Sequence, residues 1–241
     1  MDSKFNQTKR KSIAEKIFAT TEHLLTTEGF EALSIRNVCA KAGVAYSSFY
    51  YNFQDKADLL YQYGRRIFEE KLTRTQRPDY AYNGNYAKYI SWLFKIYAEF
   101  CEEMGCEFIK DLYETSTSDI FYDVCFKTLV VPIMEEAVNN KYIRFPKDEL
   151  HYILDDIEPI YKGVIHFWSM KAVQPKVVKT ESQKWWQKPY QFTTSEKKEE
   201  LSLSVLIERI MFRFFRSIDT AKFRKEFPSK IDMEYDLETE E

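Results

Sequence analysis

Between residues 34 and 60 the sequence collects hydroxyl groups and cations at short intervals: Ser34, Arg36, Tyr46, Ser47, Tyr50, Tyr51 and Lys56. Such groups donate hydrogen bonds to phosphate oxygens. Hydroxyls also read base edges, and a tyrosine ring packs on the methyl group of thymine. Upstream, Lys9, Arg10 and Lys11 form a basic run suited to following a phosphate backbone or entering a minor groove. The chemistry open to this set is recognition of double-stranded DNA. Ser34, Arg36, Tyr50 and Lys56 are assigned to phosphate or near-groove contact, and Tyr46, Ser47 and Tyr51 to base readout. Two blander readings stand beside these: Tyr51 packs against the first helix, and the 9–11 run is only a solvated terminus.

Other chemistries find little in the chain. It has no Gly-rich phosphate loop and no Ser/His/Asp arrangement in a recognisable context, so no enzymatic activity and no cofactor are expected. Asp155, Asp156 and Glu158 read as the solvated edge of a helix. The three histidines, His23, His151 and His166, are too scattered for a metal site. Cys39, Cys101, Cys106 and Cys125 have neither CxxC spacing nor disulfide-scaffold density, which leaves buried free thiols, with a redox pair of Cys101 and Cys106 as the alternative.

The DNA-facing residues need short helices to present them. Over 11–28, Ile13, Ala14, Ile17, Phe18, Thr21, Leu24 and Leu25 recur on one helical face, and Gly29 ends it. Ser34 is placed to cap a helix over 35–42 with Ile35, Val38, Cys39 and Ala42 inside. Gly43 supplies a turn, and a second short helix over 45–52 buries Phe49 and Phe53. Asp55 caps a longer helix running to about Arg74. Two short helices about a glycine turn, behind a supporting helix, form a helix-turn-helix unit.

This stretch, SIRNVCAKAGVAYSSFYYNFQDKADLL, resembles the signature of the TetR (tetracycline-repressor) family. Ser34, Ala40, Gly43, Val44, Phe49, Tyr50, Phe53, Lys56, Leu59 and Leu60 lie in register with it, and the likeness covers about 11–62. VVPIMEEAVNNKYIRF (130–145) and YKGVIHFW (161–168) are weaker echoes. One departure matters: Tyr46 and Ser47 stand where many members have Lys or Arg and Gly, so guanine readout by a long cation is not available from Tyr46.

Charge distribution agrees with a DNA-facing front end. Residues 1–77 carry thirteen Lys/Arg against nine Asp/Glu, a net of +4, while the remainder nets −7. The start of the chain has no apolar leader, and no run approaches the ~18 apolar residues of a spanning helix. A cytoplasmic protein without membrane association is expected.

Beyond residue 77 the pattern stays helical: 85–104, 106–116, 119–140 with a kink at Pro132, 147–172 interrupted by Pro159 and Gly163, and 196–224 opened by Ser195. The whole reads as all-α. A three-helix, homeodomain-like helix-turn-helix domain occupies 1–55, helix 55–74 connects, a helical domain fills 75–226, and an acidic tail, 227–241, is expected to be disordered. The resemblance implies a homodimer through helices about 147–172 and 196–218. It also implies a small-molecule effector pocket, for which Trp92, Tyr97, Phe108, Tyr113, Tyr122, Phe126, Tyr161 and Trp168 are the candidates. Aromatic density there barely exceeds that of the whole chain, so core packing explains each of them equally well. Trp185 and Trp186, in the polar connection 173–195, are candidates to cover that pocket or to pack on the partner. The implied function is a ligand-responsive transcriptional repressor binding a palindromic operator. The competing reading is a helical protein-interaction module whose DNA contact is weak or lost.

Overall fold

The structure, a computed structural model, describes residues 2–78, 84–116, 118–144, 149–172 and 202–226; for 2–11, 171 and 172 it describes the backbone alone. The described residues are all-α, and the β pairing among them is an isolated antiparallel bridge between Ile143 and Asp219. No helix among them is long and apolar enough to cross a membrane. Trp185, Trp186, the rest of 173–195 and the acidic tail 227–241 lie outside the described residues.

Local signals account for the N-terminal helices. Helix α1 (Asp2–Thr27) begins well before residue 11, because nothing from 2 to 12 is a Gly or Pro that would stop it. It buries Ile17, Thr21 and Leu24. Helix α2 (Ile35–Ala42) starts where the Ser34 hydroxyl accepts from the Asn37 amide at 3.2 Å. It stops at Gly43, which adopts the left-handed conformation (φ 64°) that costs a side-chain-bearing residue about 1–2 kcal/mol. Helix α3 (Tyr46–Asn52) follows at once, and Asp55 then caps α4 (Lys56–Arg74) by accepting from the Asp58 amide at 2.8 Å. Phe49 and Phe53, both buried, pack ring to ring at 5.5 Å, with Phe18 of α1 edge-on to Phe53 at 5.4 Å.

By density of contact the chain forms two compact units that interleave in sequence: Met1–Arg77 with Glu103–Pro132, and Pro78–Glu102 with Ile133–Glu241. In the first unit α6 (Cys106–Thr115) lies against α4 at Gly64. A Cβ there would come within 2.9 Å of the Ile120 side chain and 3.4 Å of the Phe108 ring, so the absence of a side chain sets how closely these elements approach. Phe108 stacks edge-on with Phe30 and Tyr63, Tyr61 donates to the Asp123 carboxylate at 2.6 Å, and Lys71 reaches Glu103 at 2.7 Å.

The expected helix over 119–140 is corrected. Tyr122–Val130 is a π-helical run, and α7 (Val131–Asn139) starts only behind it. The cause is Pro132, which has no N–H to continue an α-helical ladder and whose ring crowds the preceding turn. The Val131 amide accordingly bonds the Phe126 carbonyl, one residue further back than in an α-helix. Pro132 then falls in the first turn of α7, where a missing N–H costs nothing.

In the second unit most of α5 (Tyr86–Met104) packs with α8 (Leu150–Ala172) and α9 (Leu203–Ile218). Helix α8 runs unbroken through Pro159, which sits on its exposed side. The core includes Ile90, Phe94, Ile157, Tyr161, Ile165, Ile207, Met211 and Phe215, with Phe94 and Tyr161 rings 5.4 Å apart. The single helix expected over 196–224 is also corrected. Ser202 caps α9 by accepting from the Val205 amide, Ser195 lies outside the described residues, and the helix ends at Ile218 before a short α10 (Ala221–Glu226). The break belongs to Asp219, which is fully buried. Its carboxylate meets Arg216 at 2.8 Å and Arg224 at 2.7 Å, while the Arg144 side chain donates to its carbonyl at 2.5 Å. Backbone bonds from Arg144 to Ile218 and from Thr220 to Tyr142 complete the joint, and Thr220 caps α10.

Candidate nucleic-acid interface

Helix α3 is two turns long, and its two faces differ completely. Phe49 points inward with no exposure, and Asn52 closes the helix by donating to the Ser48 carbonyl at 2.7 Å. On the outer face Tyr46, Tyr50 and Tyr51 are 50%, 56% and 63% exposed, and Ser47 is exposed beside them. Helical spacing places Tyr46 above Tyr50 and Ser47 above Tyr51, as two adjacent stripes. Tyr51 thus keeps most of its ring outside the core. No charged residue lies on α3. Burying one tyrosine ring on a partner removes a large apolar area from water, and its hydroxyl still bonds at the edge. Three such rings lie largely outside the core.

The remaining candidates flank this surface. Ser34 uses its oxygen as the α2 cap, and a capping hydroxyl keeps its own proton for donation. Arg36 is exposed in the first turn of α2. Lys41, next to the turn, is exposed but paired with Glu28, which clips α2 to the end of α1. Lys56, the first residue of α4, has its amine 2.9 Å from the Asp111 carboxylate and 4.4 Å above the Phe30 ring. Lys9, Arg10 and Lys11 fall on the helical backbone of α1 rather than on an arm ahead of it; their side chains are outside the described residues. The Asp111 partner of Lys56 was not among the expected residues. No local pattern signals a carboxylate so far along the chain.

The effector candidates divide between the units. Phe108, Tyr113, Tyr122 and Phe126 belong to the first, and Trp92, Tyr97, Tyr161 and Trp168 to the second. Phe108, Phe126, Tyr97 and Tyr161 are buried, while Trp92, Tyr113, Tyr122 and Trp168 are partly buried. Several sit in ring pairs: Tyr122 stacked with Phe126 at 5.5 Å, Tyr97 with Phe100 at 5.7 Å, and Trp92 with Tyr89 at 5.7 Å. All four cysteines are free, and burial pushes the Cys39, Cys106 and Cys125 thiols up, away from the reactive thiolate. Among the described residues no three His, Cys, Asp or Glu side chains are placed to hold a metal ion.

Residues 17–63 match the model of the bacterial regulatory proteins of the tetR family. An uncharacterized HTH-type transcriptional regulator of Haemophilus influenzae is 38% identical over 56 residues, covering 23% of this chain and 30% of that relative. The chain thus matches less than a third of that relative's length. Among solved structures, a Shewanella sp. PV-4 protein assigned to the tetR family of transcription regulators aligns over 86% of this chain and 98% of its own, with 13% identity and a TM-score of 0.45. A TetR-family transcriptional regulator from H. influenzae aligns over 87% and 98%, with 19% identity and a TM-score of 0.41. Over its head, residues 17–63, this chain is thus similar to the tetR family of bacterial regulatory proteins.

Proposed function

We propose that the chain is a DNA-binding transcriptional regulator in which α3 enters the major groove and reads sequence through Tyr46, Ser47 and Tyr51. Ser34, Arg36, Tyr50 and Lys56 then grip the phosphates on either side. The observation that carries this reading is the exposure of three tyrosines on a two-turn helix whose opposite face is anchored by the buried Phe49. A helix of that length fits the groove, and hydroxyl-tipped rings both pack on thymine methyls and hydrogen-bond base edges. The similarity of residues 17–63 to the tetR family model supports the same assignment.

The regulator is further proposed to act as a homodimer, with α8 and α9 forming the contact between copies. Tyr152, Phe167 and Met170 on α8 and Val205 on α9 are exposed apolar side chains, and Phe167 and Met170 share a helical face. Two heads about one DNA turn apart would select a palindromic operator. Release from DNA by a small apolar or aromatic molecule, and hence repression, follows the family pattern. It rests on the aromatic side chains named above.

The test is selection of a labelled genomic fragment library by the purified chain at two salt concentrations. The expected result is one enriched palindromic sequence whose affinity falls steeply with salt, through counterion release. Tyr46→Phe and Ser47→Ala should each change the enriched sequence while leaving binding to mixed-sequence DNA intact. Uniform weak binding with no enriched site would sink the reading. The uncharged tyrosine face would then be better explained as a protein-docking surface.

A further inference from the structure

Lys56 opens α4 just behind the reading helix, and a cation there has two partners to choose between. In the structure its amine is taken by Asp111 of α6 at 2.9 Å, over the face of Phe30. Both side chains are partly exposed, 35% for the lysine and 26% for the aspartate, so water reaches the pair and it exchanges readily. A DNA phosphate offers the same chemistry as the aspartate, an anionic oxygen for an ammonium donor. The site that would hold Lys56 on the backbone is thus already filled from within the protein.

We propose that Asp111 is an internal competitor of DNA for Lys56: its carboxylate occupies the ammonium that would otherwise bind a phosphate, and so sets the strength of the head's sequence-independent grip. The inference rests on the DNA-binding reading above. Three consequences follow from the geometry. Removing the Asp111 charge releases the lysine and raises affinity by what the ion pair was holding back, about two- to fivefold per head for a pair this exposed. The gain is the same on any duplex, because a phosphate contact carries no sequence information. It also steepens the dependence of log affinity on log salt by about 0.9 per phosphate contact regained.

The experiment compares the full chain with Asp111→Asn, Lys56→Gln and the double variant, on a mixed-sequence duplex and on the enriched fragment, across a salt series. Asp111→Ser serves as a second release variant, and thermal melts establish that each protein is folded. The expected result is tighter binding and a steeper salt slope for both Asp111 variants, with the gain abolished when Lys56 is glutamine. A gain that persists in the Lys56→Gln background overturns the proposal, since it would come from removing a negative charge near DNA and not from freeing this amine. Weaker or unchanged binding by Asp111→Asn also overturns it, assigning Asp111 to holding Lys56 in its binding pose or to no role. If the unaltered chain binds neither duplex at low salt, the functional reading itself fails and takes this inference with it.

Discussion

Asp219 and Asp111 are each paired with a cation, yet they sit in opposite environments. Asp219 has no exposed surface, and Arg216 beside it is only 12% exposed; Asp111 is 26% exposed and its lysine 35%. Taking charges out of water costs several kcal/mol per ion, so the Asp219 cluster exists only because its partners are in place together. Such a pair is a fixture. The Asp111 pair keeps its water, gains little from forming and loses little when broken. Burial, more than distance, separates an ion pair that holds a joint from one that can be exchanged for another anion.

The sharpest way to break this contrast is Asp219→Ala. It should cost about 3–5 kcal/mol by chemical denaturation, because Arg216, 12% exposed, is left without its carboxylate. A loss below about 1 kcal/mol would mean the joint is not held by charge. The same contrast runs through the tyrosines. Tyr63, 6% exposed, has its phenol pushed up to about 12, first by burial and then by the nearby Glu22. An unfolded tyrosine ionises near pH 10. Between about pH 10 and 12 the unfolded chain therefore loses a proton that the folded chain keeps, and stability falls. Tyr63→Phe should remove part of that alkaline fall, seen as a flatter profile of melting temperature against pH. An equally steep profile would place the titration elsewhere.

Smaller effects sharpen the comparison further. Ser34→Ala removes the α2 cap and should cost about 1 kcal/mol in denaturant unfolding, with DNA affinity falling in addition if the hydroxyl meets a phosphate. Smallest of all, Asp111→Asn should change stability by less than about 1 kcal/mol, as expected of an exchangeable pair. A loss as large as that of Asp219→Ala would abolish the distinction drawn here.

The parts of the molecule legible in the sequence are those with causes close by. Ser34, Gly43 and Asp55 bound α2, α3 and α4 within a few residues of where they act, and the helix limits they imply are met to within one residue. Phe49 and Phe53 announce the inner face of α3 by spacing alone, and the outer face is what remains. The break after Ile218 was hidden, because part of its cause is Arg144, 75 residues earlier, and an acidic residue inside an amphipathic run looks like an ordinary solvated position. Pro132 was visible as an irregularity, but whether a chain kinks or widens into π geometry at a proline depends on the packing around it. The Lys56–Asp111 contact was hidden for the same reason as the Asp219 joint. Side chains that meet only after folding leave no local pattern.

The charge-free outer face of α3 has a consequence for how such a head can evolve. Its outward residues are tyrosines and serine, while the cations proposed to grip phosphate, Arg36 and Lys56, belong to neighbouring helices. On the reading proposed here, preference among sequences and general attraction to nucleic acid are inherited through separate residues. Substitutions on α3 can then retune the target without weakening the hold that lets the protein search along DNA. A duplicate of this gene could acquire a new target set in a few steps and remain a competent binder at each one.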